Sequence, residues 1–334
     1  MKKYLLLILL YGAGFFCLTA HAQDEKKTEK TEKATVDSPK PNVPDTVKIG
    51  AFVNNIYDLS MTNGECSASV WVWLVYKSDT LKISENFEVI NAKTAQRVST
   101  TTERVDGLNW ITTKIMGKLQ QDWFVHNFPF DTQKIVIKLE SSLYDMRSMV
   151  FKADVEGSKI DKNFALAGWD IKKFEIINNP SEYDTNYGDP SIKGEKSRYS
   201  AVDIVITIKR QSWGLFFKVF LGLYIALLIS SLVFLVPSND LNSKFGLAIG
   251  GLFAAVGNKY IVDSVLPETN VFTLCDQIHA LTFSFIFFYI LISAIFHELD
   301  KRGKTELTVK LERICLFAGP LLYAILNFIL ITRA

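Results

Sequence analysis

Lys244, Asn258, Lys259, Tyr260 and Asp263 fall inside one stretch, residues 244–267, that is otherwise apolar enough to be a membrane helix. Roughly 20 residues rising about 1.5 Å each cross a ~30 Å hydrocarbon core. Ionisable groups at that depth turn towards a cavity or a partner, so the chemistry open to them is the handling of charge rather than bond breaking. Gly246, Gly250 and Gly257 recur at intervals of four and seven. That spacing puts them on one helix face with Phe253, Tyr260 and Ser264. A glycine costs about 1 kcal/mol against alanine inside a helix, so three on one face need a reason. Close helix packing through Gly246-x-x-x-Gly250 is one reason. A face turned to water is the other, and the polar neighbours favour it.

Other chemistry is poorly supplied. No Ser-His-Asp set, paired carboxylates or glycine-rich phosphate loop stands out, so catalytic residues are expected to be absent. His126, His279 and His297 have no metal spacing, and no metal or cofactor is expected. Histidines titrate near neutral pH, although satisfied structural histidines are the commoner use. Cys17, Cys66, Cys275 and Cys315 are scattered and match no metal pattern or disulfide framework. The 334 residues are 49% hydrophobic, with 24 Phe and a net charge of +2. That balance excludes the basic footprint of a nucleic-acid binder and suggests a soluble part joined to a membrane part.

The elements that must position the polar stretch follow in order. Residues 1–22 read as a secretory signal: Lys2 and Lys3, an apolar core from Tyr4 to Leu18, and the small-residue site Ala20-His21-Ala22. Residues 23–45 carry charge and almost no large apolar side chain, the composition of a disordered linker. From 46 to 210 the period is two: Val47, Ile49, Ala51 and Val53; Ala68, Val70, Val72, Leu74 and Tyr76, with Ser69, Trp71 and Trp73 opposite; Ile135, Ile137 and Leu139; Val202, Ile204, Ile206 and Ile208. Asn63-Gly64, Asp106-Gly107, Gly157-Ser158 and Asp189-Pro190 punctuate the runs. Many short alternating strands predict an all-β, immunoglobulin-like sandwich. Residues 211–334 predict an α-helical membrane domain with spans at about 213–236, 244–266, 272–296 and 314–331. Lys301, Arg302, Lys304, Lys310 and Arg313 between the last two mark the cytoplasmic side, which agrees with an exported N-terminal domain.

Phe128-Pro129-Phe130-Asp131-x-Gln133 followed by an alternating strand, Asn91-Ala92 ahead of Asp106-Gly107, Tyr144-Asp145, Arg210 before the first span, Lys244 at the start of the second, and Leu266-Pro267 followed by Asp276 stand in this order. In these motifs the chain resembles the pentameric ligand-gated ion channels, the Cys-loop receptor superfamily, over roughly Thr46 to Ile331. The resemblance implies a homopentamer in a bacterial inner membrane, with the N-terminal domain in the periplasm and lipid around the helices. It implies a small-molecule agonist, whose identity the sequence does not name, and a central pore for inorganic ions. Pore lining would fall to Gly246, Gly250, Phe253, Gly257, Tyr260 and Ser264. Ligand contacts would fall to Trp73, Trp110, Tyr144, Tyr183, Tyr187 and Tyr199, an aromatic set that can attract a cation through its ring faces. Ordinary sandwich and surface roles for these aromatics are equally open. Coupling of sandwich to membrane would use Phe128, Pro129, Phe130, Asp131, Arg210 and Pro267, with Arg210 pairing Asp131.

This chain departs from the family pattern in several places. No cysteines flank the Phe-Pro-Phe-Asp loop, as in bacterial members. The first span lacks its usual proline, no glutamate precedes Lys244, and glycines replace the usual Ser or Thr of the pore face. Asp240, Asp263 and Glu268 would form negative rings favouring cations. Lys244 is expected behind the pore face and Lys259 turned sideways. A non-conducting membrane sensor or binding module on the same scaffold is the competing expectation.

Overall fold

In the computed structural model, residues 43–190 and 196–333 are described. The expected signal segment, and the charged linker up to residue 42, lie outside them. Eleven strands come first: β1 (Asp45–Ser60), β2 (Glu65–Tyr76), β3 (Phe87–Val89), β4 (Ala92–Val105), β5 (Leu108–Gln120), β6 (Thr132–Asp145), β7 (Met149–Ala153), β8 (Lys159–Ile160), β9 (Trp169–Asn178), β10 (Ser181–Tyr183) and β11 (Ser197–Arg210). Four long helices follow: α1 (Ser212–Ser231), α2 (Leu241–Asp263), α3 (Leu274–Lys301) and α4 (Thr305–Thr332).

The strands form two sheets. One has the order β4-β5-β2-β1-β7, with β8 also pairing β1; the other has the order β10-β11-β6-β3, with β9 also pairing β11. Alternation sets which side chains meet between them. Val47, Ile49, Ala51 and Val53 of the first sheet and Ile135, Ile137, Leu139, Val202, Ile204, Ile206 and Ile208 of the second are almost fully buried in one core. Each such aliphatic side chain contributes roughly 1.5–3 kcal/mol of burial. The β4–β5 hairpin turns in two residues, Asp106 at φ 51° and Gly107 at φ 76°, between paired Val105 and Leu108. Both positive values belong to the tight turn that matches strand twist, which is why Asp-Gly stands there.

All four helices are long and apolar enough to cross a membrane, and α2 is the least apolar. Their ends differ from those that hydropathy predicts. The segment expected as a basic connection, residues 297–313, is mostly helix: α3 runs to Lys301 and α4 begins at Thr305. Glu, Lys, Leu and Arg are good helix formers, so the helices continue beyond their apolar cores. Gly303, at φ 76°, makes the turn between them. Helix α2 starts at Leu241 rather than Lys244, because Asp240 caps it by accepting from the Ser243 N–H at 3.1 Å. Thr273 and Asp276 cap α3 reciprocally.

Candidate functional site

Three places in the fold gather the residues that the sequence singles out. The first is α2. Lys244, Ala248, Gly251, Ala255 and Val262 are buried against the chain's own bundle. Gly246, Gly250, Phe253, Gly257, Tyr260 and Ser264 are exposed, with Phe253 72% and Tyr260 79% accessible. A Cβ on Gly246, Gly250 or Gly257 would meet nothing within 4 Å, so these glycines do not serve packing inside the chain. Gly251, which sequence spacing passes over, is the close-packed one. A Cβ there would collide with Ser230 Oγ and the Ala226 carbonyl of α1. Its signal was present as the second half of the Gly250-Gly251 pair.

The charges of α2 all have partners. Lys244 is fully buried and paired with Glu312 of α4, which also accepts from the Ser238 hydroxyl at 2.8 Å. Lys259 pairs with Asp263 on its own helix and with Asp276 of α3 at 2.8 Å. It therefore turns sideways, away from the exposed glycine face. Asp263 is thus partly neutralised, Asp240 is occupied as a helix cap, and Glu268 is exposed.

The second place is the junction of sandwich and helices. Arg210, the last residue of β11, donates from Nε to Asp131 Oδ1 at 2.7 Å and from Nη2 to Oδ2 at 3.1 Å. Gln133 donates to the same carboxylate at 2.6 Å. The guanidinium lies over the Trp169 ring at 4.0 Å and the Phe128 ring at 5.0 Å. A planar, weakly hydrated cation is suited to such a slot. Trp169 is a partner that sequence reasoning missed; its place at the start of β9 gave no signal. The Phe128–Pro129 peptide is cis. Phe128 is buried, and Phe130 packs on Trp213 and Phe216 of α1 at 5.2 and 5.5 Å between centroids.

This loop docks on the start of α3. The Leu274 N–H donates to the His126 carbonyl at 2.8 Å, and Cys275 Sγ to that of Phe128 at 3.5 Å. Pro267, expected beside Asp131 and Arg210, lies instead around a cavity with Met61, Gly64, Gln121 and Trp123. Met61, which lines the same cavity, accepts at Sδ from Arg210 Nη2 at 3.0 Å.

The third place is the end of the second sheet opposite the one that leads into α1. Tyr183, Tyr187 and Tyr199 form a triangle with centroids 5.7, 5.9 and 6.2 Å apart. Trp73, Trp110 and Tyr144 do not join it within the chain. Trp73 stands on β2, packs over Gly50 and donates Nε1–H to Asp154 at 3.2 Å. Trp110 stands on β5 opposite Val75, in the other sheet. The Tyr144 hydroxyl accepts from the Lys82 N–H at 3.0 Å.

What sequence reasoning missed at the triangle is Glu140 of β6. It is 4% exposed; Oε1 accepts from the Tyr183 hydroxyl at 3.0 Å, and Oε2 has no hydrogen-bond partner among the described residues. Burial pushes its carboxyl above the usual range, and burial together with this carboxylate pushes the Tyr183 hydroxyl up to about 12. The Ser181 hydroxyl also supports this carboxyl, and a buried carboxylate bonded to one member of a tyrosine triangle is a candidate place for a cation. Among the described residues no group of three or more His, Cys, Asp or Glu could hold a metal ion.

A two-sheet N-terminal sandwich followed by four membrane-length helices fits the resemblance to the pentameric ligand-gated ion channels drawn from the motifs. No family model matches the chain. Over 205 residues it is 26% identical to the proton-gated ion channel of Gloeobacter violaceus. The match spans 61% of this chain and 54%, about half, of that protein's length. Over that stretch the chain is similar to a proton-gated ion channel, and its N-terminal sandwich is followed by four helices long and apolar enough to cross a membrane.

Proposed function

We propose that five copies of this chain form a ligand-gated, cation-conducting channel in a bacterial inner membrane, with the sandwich in the periplasm. The observation that carries this reading is the split of α2. One face is buried against its own bundle, while Gly246, Gly250, Phe253, Gly257, Tyr260 and Ser264 are left uncovered. Five such faces around an axis would line a water-filled path. Phe253 is the only large apolar side chain on the face besides Tyr260, and five phenyl rings would make a collar that blocks ions by dewetting. Lys259 is engaged by Asp263 and Asp276, which lowers its obstacle to cations, and Glu268 adds negative charge at the outer end.

The ligand class we infer is a small organic ammonium. The Tyr183, Tyr187 and Tyr199 rings would face it and the Glu140 carboxylate would accept from it. Trp73, Trp110 and Tyr144 would come from the neighbouring subunit or the rim. A second reading, gating by protons, is favoured by the relative's name. The test is current recorded from purified protein in a planar bilayer, with a panel of primary and quaternary amines and with pH steps. Amine-evoked current whose reversal potential follows the cation gradient supports the proposal. A reversal potential that follows chloride overturns the selectivity. Silence under every condition favours a non-conducting sensor on this scaffold.

A further inference from the structure

His279 sits in the second turn of α3 and is fully buried. Both of its ring nitrogens face oxygen atoms that accept hydrogen bonds. Nδ1 is 2.7 Å from the Cys275 carbonyl, and Nε2 is 3.0 Å from Asn258 Oδ1 on α2. The orientation of the Asn258 amide is set from its other end, where Nδ2 donates to the Val219 carbonyl of α1 at 2.9 Å. Turning that amide over would set Oδ1 against the Val219 carbonyl, acceptor against acceptor. A neutral imidazole has one N–H and can donate to only one of its two neighbours; the imidazolium has two and donates to both. The chain Cys275–His279–Asn258–Val219 is therefore complete only when the ring carries a proton on each nitrogen. It then ties α3, α2 and α1 together in one line.

Two aromatic rings and three charged side chains surround the site. Phe220 of α1 and Phe283 of α3 stand beside the ring, at 5.8 and 6.2 Å between centroids. The charged side chains nearest the ring are Lys259 and Asp263 from α2 and Asp276 from α3. Lys259 is held between these two carboxylates, so the three charges leave one net negative charge next to the site. The Cys275 thiol, one turn back, is engaged with the Phe128 carbonyl of the junction loop. Gly222 of α1 faces Asn258, and a Cβ added there would stand in ordinary contact with Nδ2 at 3.4 Å.

We propose that His279 is a proton-binding site that fastens the pore-facing helix α2 to α1 and α3, and that losing the proton releases the Asn258 link. The site stands on the geometry of one chain; only its effect on current rests on the channel reading above. The test uses the full-length chain in lipid nanodiscs with ¹⁵N-labelled histidine. The His279 signals are assigned by difference from His279→Phe and, as a second variant, His279→Gln. We expect an imidazolium spectrum at acid pH that gives way to the neutral form between about pH 4 and 9. Asn258→Asp should shift the midpoint upward, so that about tenfold less proton suffices, a change of one pH unit. Asn258→Leu should shift it downward. A ring neutral across the whole range, or a midpoint indifferent to Asn258→Asp, overturns the proposal. In bilayers, pH steps should change current in the parent and lose that component in His279→Phe. An unchanged pH response in that variant counts against the site. Absence of all current rejects the channel reading, and the spectra still decide the site.

Discussion

Arg210 grips Asp131 with two parallel hydrogen bonds, at the residue where the last strand gives way to the first membrane helix. The carboxylate is 3% exposed, so its charge has been removed from water and depends on that grip. Removing one partner of such a pair costs about 3–5 kcal/mol. Asp131→Arg and Arg210→Asp should each abolish assembly or gating, and the double reversal should recover part of both. Arg210→Lys keeps the charge and loses the fork, and should fall between. The measurement is a double-mutant cycle on pentamer yield by size-exclusion chromatography and on current; zero coupling energy would sink the idea of direct linkage.

Phe253 tests the pore proposal. Phe253→Ala or Phe253→Ser should assemble, because the ring touches little of its own chain. A collar predicts leak without ligand, or responses at lower agonist concentration. A variant that assembles as a pentamer and stays as closed as the parent would show that the gate is elsewhere.

Glu140 tests the ligand proposal. Glu140→Gln keeps the shape and removes the charge, and should weaken an ammonium ligand by more than tenfold, or about 1.4 kcal/mol. Tyr199→Ala and Tyr144→Ala should also weaken it by tenfold or more. The pH dependence has a definite sign. Burial raises the Glu140 carboxyl, so on acidification it takes up its proton at a higher pH than an ordinary glutamate, near 4.3, would. Affinity for a fixed-charge quaternary amine should therefore be full above that raised value and fall as pH drops through it. Isothermal titration from pH 8 to 4 reads this, and Glu140→Gln should flatten the curve. An equally steep curve in the variant would remove Glu140 from the site.

The neighbouring glycines Gly250 and Gly251 make an internal control. Gly251→Ala puts a methyl group into Ser230 and the Ala226 carbonyl, and should lower the melting temperature and pentamer yield. Gly250→Ala meets open space within the chain and gains up to about 1 kcal/mol of helix propensity. Its fold should hold, with any change confined to conductance. Equal losses of stability in both variants would mean that Gly250 packs against a neighbouring subunit.

How much of this was legible beforehand follows the range of each interaction. Val47 to Val53 and Val202 to Ile208 declared their strands because burial alternates with every residue. The Asp131–Arg210 pair was legible because a lone cation at a membrane boundary needs a partner and the motif supplied one. Glu140 was not, because one carboxylate among 35 acidic residues carries no mark until the strands set it under Tyr183. Lys244 could be placed behind the exposed face from its helical phase, but its partner Glu312 stands 68 residues away on a different helix. The start of α4 was misplaced because hydropathy marks the part of a helix that meets lipid, while hydrogen bonds carry the helix beyond it. Pro267 was set beside Arg210 by analogy of motifs, whereas the chain brings it to the turn near Met61.

The buried face of α2 is fastened along its length: to α4 through Lys244 near its start, to α1 through Gly251 midway, and to α1 and α3 through Asn258 and Lys259 near its end. A door hung on several hinges swings with its frame and does not slide along it. While these fastenings hold, α2 has no private motion. In the proposed pentamer, widening at Phe253 would then require the whole bundle of each subunit to lean, and five subunits would act as the leaves of an iris. A loosening of any one fastening would then be felt first as asymmetry among the leaves.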